Sequence, residues 1–105
     1  GALMPNSEFA RFGYRSPSEL KLLKKKGAIG EIHGEYFDAQ GKVLDIEHHH
    51  RLITVKLLQL KEMKHVIGIA GGSEKIEAIQ GAIQGGFIHS LITDEKTALQ
   101  LLKGI

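Results

Sequence analysis

Apolar and polar positions change period several times along this chain. The sharpest change falls at His65-Val66-Ile67-Gly68-Ile69-Ala70-Gly71-Gly72-Ser73-Glu74-Lys75-Ile76. The run from His65 to Ala70 is rich in β-branched and small residues and too short for a helix, so it reads as a buried parallel strand. Gly71 and Gly72 break it. Ile76, Ile79 and Ile83, with Ala78 and Ala82 beside them, then keep helical spacing until Gly85-Gly86 stops the helix. Phe87 to Ile92 is a second short strand. Thr93 is placed to cap a last helix, Asp94 and Glu95 complement its N-terminal dipole, and Ala98, Leu101 and Leu102 form its inner face. Strand, helix, strand, helix at these lengths is a right-handed βαβ unit with parallel neighbouring strands. The fold class is α/β, a Rossmann-like parallel sheet with flanking helices.

The first half is patterned less regularly. Ser16 is a good N-cap, Pro17 suits the first helical position, and Gly27 suits the left-handed position that follows a helix ending at Lys26. Leu20 and Leu23, helped by Leu22, make its apolar stripe, while Lys21, Lys24, Lys25 and Lys26 face water as a solvated surface. Ala28 to Phe37 alternates imperfectly and reads as a strand with a bend. Asp38-Ala39-Gln40-Gly41 is a turn signal, and Lys42-Val43-Leu44 returns as an antiparallel partner, giving a short β-hairpin. Asp45 to His50 reads as an exposed loop and Leu52 to Val55 as a short strand. Leu57, Leu58, Leu60 and Met63 mark a short amphipathic helix. The first fifteen residues show no sustained period. They read as an extended arm packed through Phe9, Phe12 and Tyr14, and the abrupt start points to a segment of a longer polypeptide.

Composition narrows the function classes. The chain of 105 residues is long enough for one compact core, and 42% hydrophobic with 25% charged residues is an ordinary globular balance. A net charge of +2 argues against a nucleic-acid surface of the usual strongly basic kind. There is no cysteine, hence no disulfide. No apolar run approaches the roughly 18 to 20 residues of a membrane span, and the start lacks a signal peptide's pattern, so a cytoplasmic protein without membrane contact is expected.

The glycine turn is the leading candidate for chemistry. Glycines let the backbone come close to a ligand, the first helical amides lack intrahelical partners, and Lys75 adds a cation, a combination that suits a phosphate. The full glycine spacing of a dinucleotide site and the Lys-Ser or Lys-Thr ending of a nucleotide loop are missing, so no cofactor is implied. A plain tight strand-to-helix turn with Ser73 as N-cap is the alternative. In parallel sheets ligands sit beyond the carboxyl ends of strands, which puts Gly71-Gly72-Ser73 and Thr93-Asp94 on one edge. His48-His49-His50 makes a poor chelate, because adjacent side chains of an extended segment point to opposite sides. No metal site is expected.

Three stretches together resemble the effector-binding domain of the SorC/DeoR family of bacterial transcriptional regulators. Phe12-Gly13-Tyr14 with Gly27-Ala28-Ile29-Gly30-Glu31-Ile32 and Tyr36-Phe37-Asp38 resembles the family's glycine-rich middle segment, and Arg51 with Ile53 a short link. Ile69 to Lys75, followed by Glu77-Ala78-Ile79, Gly85-Gly86 and Leu91-Ile92-Thr93-Asp94-Glu95, is similar to its C-terminal run in order and spacing. Thr54 and Lys56 depart from the pattern, where glycine and a helix-capping serine are common.

The resemblance implies a domain related to sugar-phosphate isomerases that binds a phosphorylated sugar and thereby changes operator affinity, without catalysis. It maps the effector phosphate onto Gly71, Gly72, Ser73 and Lys75, and sugar hydroxyls onto Glu31. It makes residues 1–105 the C-terminal portion of an effector-binding domain. A helix-turn-helix outside these residues would contact operator DNA, and the family's habit implies a homo-oligomer, a dimer or tetramer. Two alternatives compete: an isomerase-like enzyme fragment with Glu31 or Asp94 as general base, and an oligomerisation half-domain that binds no small molecule.

Overall fold

The computed structural model describes residues 1–3 and 16–104. Residues 4–15, with Phe9, Phe12 and Tyr14, lie outside them. Helix α1, Pro17–Lys25, starts as its sequence dictates. The Ser16 hydroxyl accepts the Glu19 amide, the Glu19 carboxylate accepts the Ser16 amide, and Gly27 takes φ +90° just past the C-cap Lys26. Leu20 and Leu23 are buried, whereas Leu22 is exposed.

Strands β1, Ala28–Ile32, and β2, Glu35–Asp38, pair antiparallel around His33 and Gly34, both of which have positive φ. The hairpin thus closes inside the segment expected to be one bent strand. The predicted partner at Lys42-Val43-Leu44 contributes a single bridge, Val43 to Phe37, beyond a turn in which Asp38 Oδ1 accepts the amides of Gln40 and Lys42. Ala2 bridges Gly30 on the other side of β1.

Glu47–Arg51 form a 3₁₀ turn instead of an exposed loop, and His49 is buried in it. Leu52 to Val55 form no strand, and Ile53 is fully exposed. Helix α2, Leu57–Glu62, buries Leu57 and Leu60 and leaves Leu58 and Met63 outside. Its first amide donates to Glu35 Oε1 at 2.7 Å, and the Lys56 amide donates to Gln59 Oε1 at 2.8 Å. A buried carboxylate from β2 therefore does what a capping serine would do at position 56.

Strand β3, Ile67–Ile69, pairs parallel with β4, Ser90–Ile92, in the register Ile67 with Ser90 and Ile69 with Ile92. Between them run a 3₁₀ turn, Ser73–Lys75, and helix α3, Ile76–Gln84; helix α4, Glu95–Lys103, follows β4. This is the predicted βαβ unit. Burial differs from expectation, since Ile67, Ile69 and Ile92 are exposed. On α4, Thr97 and Leu101 are buried and Leu102 is exposed. Asp94, not Thr93, caps α4 by accepting the Thr97 amide. Both residues are good caps, and the helix starts one residue later than the pattern implied.

Helix α3 packs on β1 through Ala78, Gly81 and Ala82. A Cβ on Gly30 would stand 2.6 Å from Ala78 Cβ, and one on Gly81 would stand 2.7 Å from Ile29 Cδ1, so small residues on both partners set this close approach. Phe37, Leu57, Leu60, Ala82 and Phe87 make one core cluster, with the rings of Phe37 and Phe87 5.6 Å apart. Leu3, Leu23, Ala28 and Tyr36 make a second.

Gly41 and Gly86 have similar positive φ, +79° and +74°, but different surroundings. A Cβ on Gly41 would collide with the backbone of Gly85, whereas one on Gly86 has no heavy atom nearer than Lys61 Cγ at 3.7 Å. Gly86→Ala should therefore cost about 1–2 kcal/mol, the strain of a left-handed alanine alone. Gly41→Ala should cost clearly more. Urea denaturation of both variants checks this, and equal losses would contradict the packing.

Candidate functional site

A cavity of about 370 Å³ opens between the hairpin, the β3 segment and α3. Its lining is mostly apolar, with Phe37, Leu60, Ile79 and Leu91 among its walls, and with Glu31, His33 and Lys75 as its charged or titratable side chains. A largely apolar concavity with a few polar groups is the usual form of a small-molecule site. Glu31 and Lys75, far apart in sequence, are brought to the same cavity by α3 lying on β1.

Glu31 is held in place. Its Oε2 accepts the Gly34 amide at 2.9 Å, so the tight turn after β1 orients the carboxylate, and Oε1 lies 3.1 Å from the amino group of Gly1. Lys75 is half-buried at the end of the 3₁₀ turn that opens α3. Gly71, Gly72 and Ser73 do not line the cavity; Ala70, immediately before them, does.

The glycine turn has its own network. Gly72 has φ +110°, and its carbonyl accepts the Lys75 amide at 3.1 Å. Its amide donates to Thr97 Oγ1 at 2.9 Å, and the Thr97 hydroxyl donates to Asp94 Oδ2 at 2.8 Å. The two donors of Thr97, amide and hydroxyl, hold the Asp94 carboxyl below its ordinary range. A Cβ on Gly71 would collide with Asp94, and one on Gly72 would stand 2.7 Å from Glu74 Oε1, so two carboxylates flank the turn. Thr93 Oγ1 is buried with no hydrogen-bond partner among the described residues. Thr97 was not a sequence candidate. Its position three residues after the capping Asp94 was the available signal.

Behind the hairpin lies a buried polar cluster. His49 Nε2 accepts the Tyr36 amide at 2.9 Å, its ring stacks on Tyr36, and Nδ1 faces Glu35 Oε2 at 4.0 Å. Lys56 Nζ donates to the His49 carbonyl at 2.8 Å. Burial pushes the His49 pKa down, against an opposing pull from the Glu35 carboxylate. Among the described residues no group of three or more His, Asp or Glu side chains could hold a metal ion. No helix there is long and apolar enough to cross a membrane.

An α/β unit with an apolar cavity beside the carboxyl end of a parallel strand, bearing a carboxylate and an ammonium group, is the frame of a small-molecule-binding domain. The family model Sugar-bind, described as "Putative sugar-binding domain", matches residues 1–103, and the chain belongs to this family, the sugar-binding domain of SorC/DeoR-type transcriptional regulators. It is 42% identical over 93 residues to the transcriptional regulator LsrR of Enterobacter sp. strain 638, an alignment covering 88% of this chain and 29% of the relative. Against LsrR of Escherichia coli K12 the identity is 45% over 80 residues, covering 75% of this chain and 25% of the relative. The chain thus spans under a third of the length of these relatives. A DeoR family transcriptional regulator from Listeria monocytogenes superposes with a TM-score of 0.90 at 26% identity, covering 96% of this chain and 41% of that one. The full-length sorbitol operon regulator SorC from Klebsiella pneumoniae gives 0.82 at 28%, covering 94% and 31%.

The cluster around His49 predicts a pH dependence. A histidine whose folded pKa lies below its unfolded value of 6.5 leaves the folded state with fewer bound protons, so its contribution is complete above that value and is lost as the pH falls toward the folded pKa. Protonation also removes the lone pair that accepts the Tyr36 amide. An NMR titration of the His49 ring should show a midpoint below 6.5, with stability declining from neutral pH toward it; a midpoint at or above 6.5 would contradict the burial.

Proposed function

We propose that this chain is the effector-sensing module of a sugar-responsive DNA-binding transcriptional regulator, and that its effector is a phosphorylated sugar. The observation that carries the reading is the convergence of Glu31 and Lys75 on one cavity beside the glycine turn. A carboxylate accepts hydrogen bonds from neighbouring sugar hydroxyls, and an ammonium group pairs with a phosphate. In this reading Gly71 and Gly72 allow close approach. The Gly72 amide is already donated to Thr97, so the Ser73 amide and Lys75 carry the anion contact.

Residues 1–105 are, in this proposal, the C-terminal portion of an effector domain, and a helix-turn-helix in another segment contacts operator DNA. Effector binding changes operator affinity through the assembly of a homo-oligomer, and the protein works in the cytoplasm, where its DNA is. It is not an enzyme in this reading. The two candidate bases are poorly suited to proton abstraction: the donors of Thr97 lower the basicity of Asp94 and occupy its oxygens, and Glu31 is tied to the Gly34 amide.

Replacing Lys75 by Ala should weaken binding of a phosphorylated sugar at least about tenfold, the scale of a lost charge-assisted hydrogen bond. Binding of the unphosphorylated form should change far less. Calorimetric titration with such pairs checks it, and equal losses for both would sink the assignment.

Association with itself or with the rest of its domain is the second expectation. Among the described residues the β3–β4 sheet has two strands and open edges, and Ile67, Ile69, Ile92, Leu99 and Leu102 are exposed. Light scattering should give a mass of at least a dimer at micromolar concentration. A stable folded monomer would count against it.

A further inference from the structure

We propose that Thr97 is the positioning residue of the glycine turn, fixing the Gly72 peptide so that the amide of Ser73 and the ammonium of Lys75 meet an anion together. The inference rests on the effector-phosphate reading above and adds a residue from α4 that neither the family likeness nor the cavity lining points to. Thr97 is 2% exposed, and its hydroxyl is used on both sides: it accepts the Gly72 amide and donates to Asp94 Oδ2. Asp94 Oδ1 in turn accepts the Thr97 amide at 2.8 Å. The cap of α4 is thereby clamped onto the loop after β3.

The clamp matters because Gly72 is the loosest point of the turn. Glycine at φ +110° has no Cβ to restrict it, so its orientation must come from what its amide and carbonyl bond to. The carbonyl is held by the Lys75 amide, which moves with the turn itself. The amide is held by Thr97, which belongs to another helix and is stiff at χ1. With the Gly72 amide directed at α4, the next amides are left for a ligand. A Cβ on Gly71 would be 3.4 Å from Thr93 Oγ1, which has no hydrogen-bond partner among the described residues. Helix packing alone would be served equally by valine, which has the shape of threonine and neither its donor nor its acceptor.

The test is NMR on the 105-residue chain titrated with inorganic phosphate against chloride at constant ionic strength. In the unsubstituted chain the Gly72 amide should exchange slowly and shift little with phosphate, while the Ser73 amide shifts. Thr97→Val should speed Gly72 exchange and weaken phosphate binding about threefold to tenfold, the fold-change of one ordinary hydrogen bond. Thr97→Ser should restore both to within about twofold, since it keeps the hydroxyl. Phosphate binding unchanged in folded Thr97→Val would overturn the role of Thr97 and leave the phosphate reading standing. No phosphate response in the unsubstituted chain would overturn the phosphate reading and the inference with it. If Thr97→Val does not fold, the unsubstituted chain still decides, because fast exchange of its Gly72 amide would show that the clamp does not exist.

Discussion

Tyr36 and Phe37 are neighbours on β2, and both are almost completely buried. Successive side chains of a strand point to opposite faces, so this pair requires the small hairpin to be covered on both sides. The rest of the structure follows from that requirement. On the Phe37 side, α2, α3 and Phe87 supply the cover, and α3 can lie close only because Gly30, Ala78 and Gly81 are small. On the Tyr36 side, α1 contributes Leu23 and the 3₁₀ turn contributes the stacked ring of His49. Each ring brings a gain of about 1.5–3 kcal/mol from apolar burial, so displacement of the hairpin would forfeit both at once.

Covering both faces of the hairpin also buries polar groups, and these must be satisfied. Glu35 precedes Tyr36 on β2 and is 7% exposed. Its carboxylate spends one oxygen on the first amide of α2 and turns the other toward His49. His49 accepts the Tyr36 amide, and Lys56 donates to the His49 carbonyl. Together these bonds tie β2 to the turn at Glu47–Arg51 and to the start of α2, across a segment with no regular structure of its own between residues 52 and 56. A buried carboxylate left without such donors would cost more than the cluster gains, which makes the group cooperative.

Much of this could be read from the sequence wherever a local rule acts alone. Ser16, Pro17 and Gly27 define α1 by capping chemistry, and the spacing of Ile76, Ala78, Ile79 and Ala82 defines α3. The failures occur where tertiary contacts decide. His33 and Gly34 both take positive φ, uncommon for a residue other than glycine, and the histidine, unlike the glycine after it, is a weak turn signal. His49 reads as polar yet is buried, because its Nε2 accepts a backbone amide thirteen residues away. Ile67 and Ile69 carry the composition of a buried strand, and they are exposed in a sheet of two strands within a chain that spans 41% of the Listeria regulator on which it superposes. At the site, the glycine turn was visible as a motif, while Thr97 was hidden, since a hydroxyl in a first helical turn ordinarily signals only a cap.

The electrostatics of the glycine turn bear on how an anion could be chosen there. Glu74 and Asp94 stand against Gly72 and Gly71, and Lys75 is the cation that reaches the cavity, so the turn is not a simple positive patch. Long-range attraction for anions is therefore weak, in keeping with a chain of net charge +2. Any preference for a phosphate has to arise at contact, from amides and one ammonium group held at fixed angles, where a charge-assisted hydrogen bond depends steeply on geometry. Rigidity then becomes the source of selectivity, and in the proposed reading it comes from outside the turn, through the cap of α4. Across the cavity, Glu31 is likewise set by a backbone amide of a tight turn. Both ends of the proposed effector would thus be read by side chains whose positions are set by the backbone around them, and an effector of the wrong length could satisfy only one.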